Sequence, residues 1–361
     1  MKKICIIGNN RHGKDIADGG SIKVRLYKTF LERLGHETYI ADLDGWIKRP
    51  LRLIKQIKYG VKNCDSIVIM GGPKGCRIAI PLVNKYNKKI KKRVVFCPLG
   101  IGTVDILIKN FNTEKVTNFI QSKDFYDLKD EKMKKQLEKI DLIIPQNQML
   151  CELYNNFYGL NNISLLINFR DEKVINHVYS PTIPFKIIYI SRLKKNKGIL
   201  DIVRVANDLI NEGYKIILDI YGQQELDGED LNNFNNMLNA AVKYFGPAKH
   251  EEVSSIIAQH DLFVLPTAYY GEGTSGALIE SMFAGTPALI SSYSQAHLII
   301  KDGVNGLIYK LGDNNDLAKK IIYAYENNEI MKNISVEAQK EALKYSFDAN
   351  KEYFEECILG K

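Results

Sequence analysis

The chain holds little from which to build a metal or redox centre. Six cysteines, Cys5, Cys64, Cys76, Cys97, Cys151 and Cys357, are scattered along 361 residues with no C-x-x-C pair. That spacing argues against a zinc site or a dithiol motif and fits reduced, structural thiols. The six histidines form no Ser-His-Asp set, and there is no P-loop. Trp46 is the single tryptophan, and aromatic and basic residues do not interleave as they do on single-stranded nucleic-acid platforms. No apolar run approaches the ~20 residues of a membrane span. Met1-Lys-Lys leads directly into Ile4–Ile7 and Gly8, a stretch too short for a signal-peptide core. The expectation is a cytoplasmic chain with no resident metal, no cofactor and no nucleic-acid partner.

What is present is ordinary for a globular protein of two domains: 45% hydrophobic and 25% charged residues. The formal net charge of +8 hides an asymmetry. Residues 1–100 carry 22 lysines and arginines against 7 acids, a balance of +15, and the remainder carries −7. Charge segregated in this way suggests that the first half meets something anionic: nucleic acid, a membrane surface or a phosphorylated substrate. Two segments concentrate it, Lys48–Lys58 and Lys85–Arg93, where Leu51, Ile54, Ile57 and Val61 are expected to pack on a sheet beneath exposed cations.

Short apolar runs alternate with helical periodicity along the whole chain. Strands are expected at Lys3–Ile7, Glu37–Ala41, Ser66–Met70, Arg93–Cys97, Leu142–Ile144 and Ser164–Ile167. The helix between the first two runs from about Ser21 to Leu34, on Ile22, Leu26, Tyr27, Phe30, Leu31 and Leu34. Asn168–Pro184, with two prolines and no period, reads as the interdomain connection. The alternation then restarts with strands at Phe185–Ile190, Lys215–Tyr221, Val242–Phe245, Leu262–Leu265 and Ala288–Ser291. Consecutive βα units predict parallel sheets, hence two doubly wound α/β domains facing a cleft. Their ligands should lie at the carboxyl ends of the strands. The expected bounds are 1–170 and 185–345, with residues 346–361 a C-terminal helix that could pack back on the first domain.

The stretch Val264–Ser292 carries the strongest chemical signal. A strand closed by Pro266 is followed by a loop, and Thr274 or Ser275 can cap a helix that Gly285 stops before Pro287. Glu272 precedes the cap and Glu280 lies inside the helix. Free N–H groups at Thr274, Ser275 and Gly276 would hold an anion, and the flanking carboxylates would accept from hydroxyls. A nucleoside diphosphate sugar has that order of groups. An acidic loop before an ordinary capped helix reads equally well from these residues alone. Arg192 and Lys197 follow a buried strand, where an Arg fork and a Lys point charge could neutralise a diphosphate, or form a solvated basic turn with Lys194 and Lys195. Asp18-Gly19-Gly20-Ser21 opens the first helix with paired glycines that let a ligand approach the backbone. Asp42-Leu-Asp44 has the form of a metal-binding D-x-D, and its place beyond a first-domain strand makes it a solvated loop.

Glu272 and Glu280, separated by seven residues and followed by Ala284-Gly285-Thr286-Pro287, resemble the E-x7-E signature of retaining glycosyltransferases of family 4, of GT-B fold. Asp302-Gly-Val-Asn-Gly306-Leu-Ile-Tyr309 and Tyr189-Ile-Ser-Arg192-Leu-Lys-Lys-Asn-Lys197-Gly198 extend the resemblance over most of Phe185–Tyr309. The resemblance implies transfer of a sugar from a nucleotide-sugar donor with retention. Glu272 would contact the transferred sugar and be an exposed cleft residue, Arg192 and Lys197 would stabilise the leaving diphosphate, and Glu280 would hold the ribose. Gly273, Thr274, Ser275, Gly19 and Gly20 complete the expected donor contacts. Many members place a first-domain histidine near the sugar; Cys97-Pro-Leu-Gly-Ile-Gly102 has none, and His12 is the candidate in its stead. The expected acceptor is a glycan or lipid-linked cell-surface precursor, with the enzyme peripheral at the inner, anionic membrane surface. A sugar-nucleotide epimerase of the same fold and a silent nucleotide-sugar-binding partner subunit are the rival readings.

Overall fold

The computed structural model describes residues 1–11, 19–99, 130–175, 179–181, 183–269, 272, 274–293 and 295–360. The chain forms two units, Met1–Asn168 with Phe347–Lys361, and Phe169–Ser346. Each is a parallel-sheet, Rossmann-like α/β domain.

In the first unit the described elements are β1 (Lys3–Gly8), α1 (Gly19–Arg33), β2 (Glu37–Asp42), α2 (Pro50–Asn63), β3 (Ser66–Gly71), α3 (Pro73–Asn87), β4 (Arg93–Pro98), α4 (Glu131–Leu137), β5 (Leu142–Ile143) and α5 (Gln148–Tyr158). The strands run parallel in the order β2-β1-β3-β4-β5. Strand β3 is buried along its whole length, as expected of a parallel sheet covered on both faces. Gly8 admits α1: a Cβ there would lie 2.4 Å from Val24 Cγ2. Helix α1 begins at Gly19, so the paired glycines form its first turn instead of preceding it. His12 and Asp18, beside them in sequence, lie outside the described residues.

The second unit holds β6 (Phe185–Ile190), α6 (Ile199–Asn211), β7 (Ile216–Tyr221), α7 (Gly228–Met237), β8 (Val242–Tyr244), α8 (Val253–Ile257), β9 (Leu262–Leu265), α9 (Gly276–Ala284), β10 (Ala288–Ser291), β11 (Leu307–Tyr309), α10 (Asn314–Glu326) and α11 (Asn328–Ala342). Its sheet order is β11-β10-β9-β6-β7-β8. Helix α6 buries Ile199, Ile202, Val203, Ala206 and Leu209, one stripe at helical spacing. The chain order reverses at β6, which pairs with β7 on one side and β9 on the other. A crevice opens at such a reversal, outside the carboxyl ends of the strands. The last helix, α12 (Phe347–Leu359), belongs to the first unit. There Phe347 stacks on Phe30 at 4.7 Å and Phe354 meets Tyr27 edge-on at 4.8 Å.

Four local expectations are corrected. Ser164–Ile167 is no strand: Ile163 makes a single bridge to Ile143, and although the Ser164 and Leu166 N–H groups donate to Ile143 O and Pro145 O, Pro145 has no N–H to donate back and continue the ladder. The supposed connection after Asn168 is packed into the second unit, where the Arg170 N–H donates to Tyr345 O and the Ile175 N–H to Phe283 O. Leu51 does not pack on the sheet and is 72% exposed. The inward stripe of α2 is Leu53, Ile57, Gly60 and Val61, which places Leu51 on the opposite face at 3.6 residues per turn. Asp42 is buried, not solvated, and its Oδ1 accepts from the N–H groups of Asn10 and Asp44, each at 2.9 Å. It thus ties the loop after β2 to that after β1.

Candidate active site

Most of the second-unit residues singled out in the sequence converge on the reversal point. After β6 the chain makes a single 3-10 turn, Lys195–Lys197, and passes through Gly198 at φ +72°. A Cβ on Gly198 would stand 2.0 Å from Pro266 O. Only glycine lets the loops after β6 and β9 approach this closely without strain. The same contact is sealed by the Ala268 N–H donating to Asn196 O at 2.9 Å. Tyr189, fully buried, donates its hydroxyl to Arg192 O at 3.0 Å. Burial pushes that phenol upward, so it remains a donor at neutral pH.

This scaffold brings Lys197 and Glu272 into a direct ion pair. Their side chains are 7% and 12% exposed, so Glu272 is not the exposed residue expected of a cleft wall. Thr267 Oγ1 donates to Glu272 Oε2 at 3.0 Å, and the Tyr269 ring lies 4.7 Å from Lys197 Nζ. A buried charge requires this much compensation, since an unpaired one would cost several kcal/mol, about 3–5 on loss of a partner. Arg192 is more open; its Nη1 lies 3.7 Å from Glu225 Oε1, and Lys194 Nζ lies 2.7 Å from Glu225 Oε2. Lys194 is thus paired as well as partly exposed.

Helix α9 starts beside this pair. Ser275 occupies the N-cap position in extended geometry, yet its side chain makes no capping hydrogen bond. The first-turn N–H groups, at the positive end of the helix, therefore receive no hydrogen bond from Ser275 Oγ. Thr274 is half-buried next to it, and Gly273 lies outside the described residues. Gly285, at φ +71°, closes the helix.

Glu280 is buried one turn further in. Its Oε1 accepts from Arg170 Nε at 3.0 Å, with His250 Nδ1 at 3.9 Å. Arg170 Nη1 also donates to Phe169 O at 3.2 Å. A Cβ on Gly276 would lie 1.7 Å from Arg170 Nη2, so the guanidinium runs directly beneath the first turn of α9. Glu172 is nearby: burial, reinforced by the Glu280 charge, raises its carboxyl above the usual range, with His250 and Arg170 opposing. Arg170 is the main residue that the sequence leaves unannounced. It sits in an aperiodic segment 110 positions from Glu280, and no local spacing marks it. Lys23 is a second case, buried in the first unit with Nζ donating to Asn168 Oδ1 at 2.8 Å.

No group of three or more metal-binding side chains occurs among the described residues. Asp42 and Asp44 are engaged with backbone groups and with Arg11 Nη1, 3.4 Å from Asp44. No described helix is long and apolar enough to cross a membrane.

Residues 172–341 match the family model described as Glycosyl transferases group 1. An uncharacterized glycosyltransferase of Methanocaldococcus jannaschii is 30% identical over 171 residues, 46% of this chain and 42% of that protein. The chain thus spans less than half the length of the curated relatives it matches. Sucrose-phosphate synthase of Thermosynechococcus elongatus superposes with a TM-score of 0.75 at 14% identity, over 98% of this chain and 97% of that one. HepE of Anabaena, in complex with UDP and glucose, gives 0.65 at 17% identity over 98% of each chain. These likenesses establish the fold, two Rossmann-like domains as in GT-B glycosyltransferases.

Proposed function

We propose that this chain is a retaining glycosyltransferase that uses a nucleotide-sugar donor and no metal. The observation that carries the reading is the Lys197–Glu272 pair, held at the sheet's reversal point beside a helix N-terminus without a side-chain cap. A diphosphate at the start of α9 would meet oriented N–H groups, Lys197 and the more exposed fork of Arg192, which together neutralise charge as it develops on the leaving group. With the phosphate on Lys197, Glu272 is released toward the transferred sugar. Glu280 would accept from the ribose hydroxyls. The leaving phosphate would take the acceptor's proton during attack on the same face, which preserves the anomeric configuration.

The group 1 match and the relatives described as glycosyltransferases support transfer over epimerisation. The UDP and glucose bound by HepE support a nucleotide sugar of that general kind as donor. Intact Arg192, Lys197, Glu272 and Glu280 speak against a silent partner subunit.

A specific observation favours an acceptor at an anionic membrane, with the protein peripheral at its inner face. Between Gly45 and Cys64 there is no acidic residue. Leu51, Lys55, Lys58 and Lys62 form one exposed stripe of α2, and Ile47 is 70% exposed just before it. Lysines with an apolar tip suit reversible docking at ~1 kcal/mol per cation. A lipid-linked glycan precursor is the acceptor class such a surface would present.

The deciding experiment screens UDP-, GDP- and ADP-linked sugars for thermal stabilisation, then follows turnover by proton NMR with EDTA present. One donor should raise the melting temperature, and its sugar should appear in product with unchanged anomeric configuration. An inverted product, or activity abolished by EDTA and restored by manganese, would overturn the retaining, metal-free reading.

A further inference from the structure

We propose that Arg170 is the positioning residue for Glu280, fixing one carboxylate oxygen so that the other faces the ribose of a bound nucleotide. The inference rests on the nucleotide-sugar reading above and adds a residue from outside every motif.

The ion pair is directional. Arg170 Nε holds Glu280 Oε1, while Oε2 accepts no hydrogen bond from a described residue. Both side chains are more than nine-tenths buried, at 8% and 5% exposure, and Arg170 Nε meets Glu280 Oε1 at 3.0 Å. The backbone of Arg170 is fixed too: its N–H donates to Tyr345 O at 2.8 Å, and the residue bridges Ser346 in parallel register. Nη1 is anchored on Phe169 O.

The bridge lies where a cation is disfavoured. The guanidinium lies beneath the first turn of α9, in space that only Gly276 leaves open. A cation at the N-terminus of a helix opposes the helix dipole, an unfavourable arrangement for stability alone. It becomes favourable where an anion must bind. Glu280 by itself would repel a diphosphate at the helix start; Arg170 offsets that charge and leaves the carboxylate oxygen usable as a hydroxyl acceptor. Discrimination for ribose then depends on Arg170 although Arg170 need not touch the nucleotide.

The test measures dissociation constants of UDP, GDP and ADP and of their 2′-deoxy counterparts by calorimetry. For the diphosphate that binds, the wild type should prefer the ribose form by about tenfold or more, the loss expected for a hydrogen bond to a charged acceptor. In Glu280→Gln and in Arg170→Met the preference should fall below about threefold, with Arg170→Lys between. A structural lesion would weaken ribose and deoxyribose forms alike, leaving the ratio at its wild-type value. If Arg170→Met does not fold, Gly276→Ala serves in its place, because the added Cβ takes the position of Nη2 without removing either charge. An unchanged ratio in folded variants overturns the role of Arg170 alone. Absence of binding by all three diphosphates to the wild type overturns the donor reading and this inference with it.

Discussion

Lys197 Nζ and the Glu272 carboxylate face each other in a nearly closed site, and neither has another oppositely charged partner within ion-pair distance among the described residues. Two residues 75 positions apart are thereby made mutually dependent. Removing the acid is a different perturbation from removing the pair.

Glu272→Ala should lower turnover by about two orders of magnitude or more, as loss of a transition-state contact does. It should also lower the melting temperature by several degrees, because it leaves Lys197 buried and unpaired. The double variant Lys197→Met, Glu272→Met should regain much of that thermal loss and none of the activity. Calorimetry and a donor-turnover assay on all three proteins check this. A single variant that is inactive with unchanged stability would show that the pair is open to water.

Gly198→Ala should destabilise the second unit and weaken donor binding. The residue at φ +72° costs about 1–2 kcal/mol when it carries a Cβ, and here that Cβ meets Pro266 O. Gly213→Ala is the control, at φ +100° with nothing within 4 Å of the added carbon. Its melting temperature should fall less, with donor affinity unchanged.

Glu172 gives a pH signature. Its carboxyl titrates above the ordinary value, chiefly from burial, so the folded state favours the protonated form. That preference costs nothing below the unfolded pKa, and stability is lost as pH rises through the folded pKa. Glu172→Gln should therefore raise the melting temperature at pH 7 and make no difference near pH 4. A gain that is equal at both pH values would assign the effect to packing.

The exposed stripe of α2 should bind anionic vesicles at low salt and release them as the Debye length shrinks. Replacing Lys55, Lys58 and Lys62 with Gln should abolish sedimentation with phosphatidylserine vesicles, and Leu51→Ser should weaken it. Hydrolysis of the donor in solution should be unaltered by either change. Equal binding to neutral vesicles would remove the electrostatic account.

Much of the second unit was legible in sequence because its determinants are local. Phe185–Ile190, Leu262–Leu265 and Ala288–Ser291 are strands with the expected bounds. Pro266, Ser275 and Gly285 punctuate the chain through their own backbone preferences, which need no partner. Leu51, Ile54, Ile57 and Val61 fall within an arc of about 120° on a helix, so their spacing suits one face; Leu51 stands at the edge of that arc in the first turn of α2, and Leu53 takes the inward place.

Composition, periodicity and the punctuation around α9 determined two βα series and put Arg192, Lys197 and Glu272 after strand ends, with Glu280 inside the helix that follows. Tertiary structure alone decided how those groups are paired. The reversal of strand order at β6 sets the loops after β6 and β9 side by side, and Gly198 lets them close on Lys197 and Glu272. Arg170 reaches Glu280 because the segment after Asn168 is folded into the second unit. A side chain's charge is written in the sequence, but its desolvation and its partner are properties of distance, and distance between residues far apart in the chain exists only after folding.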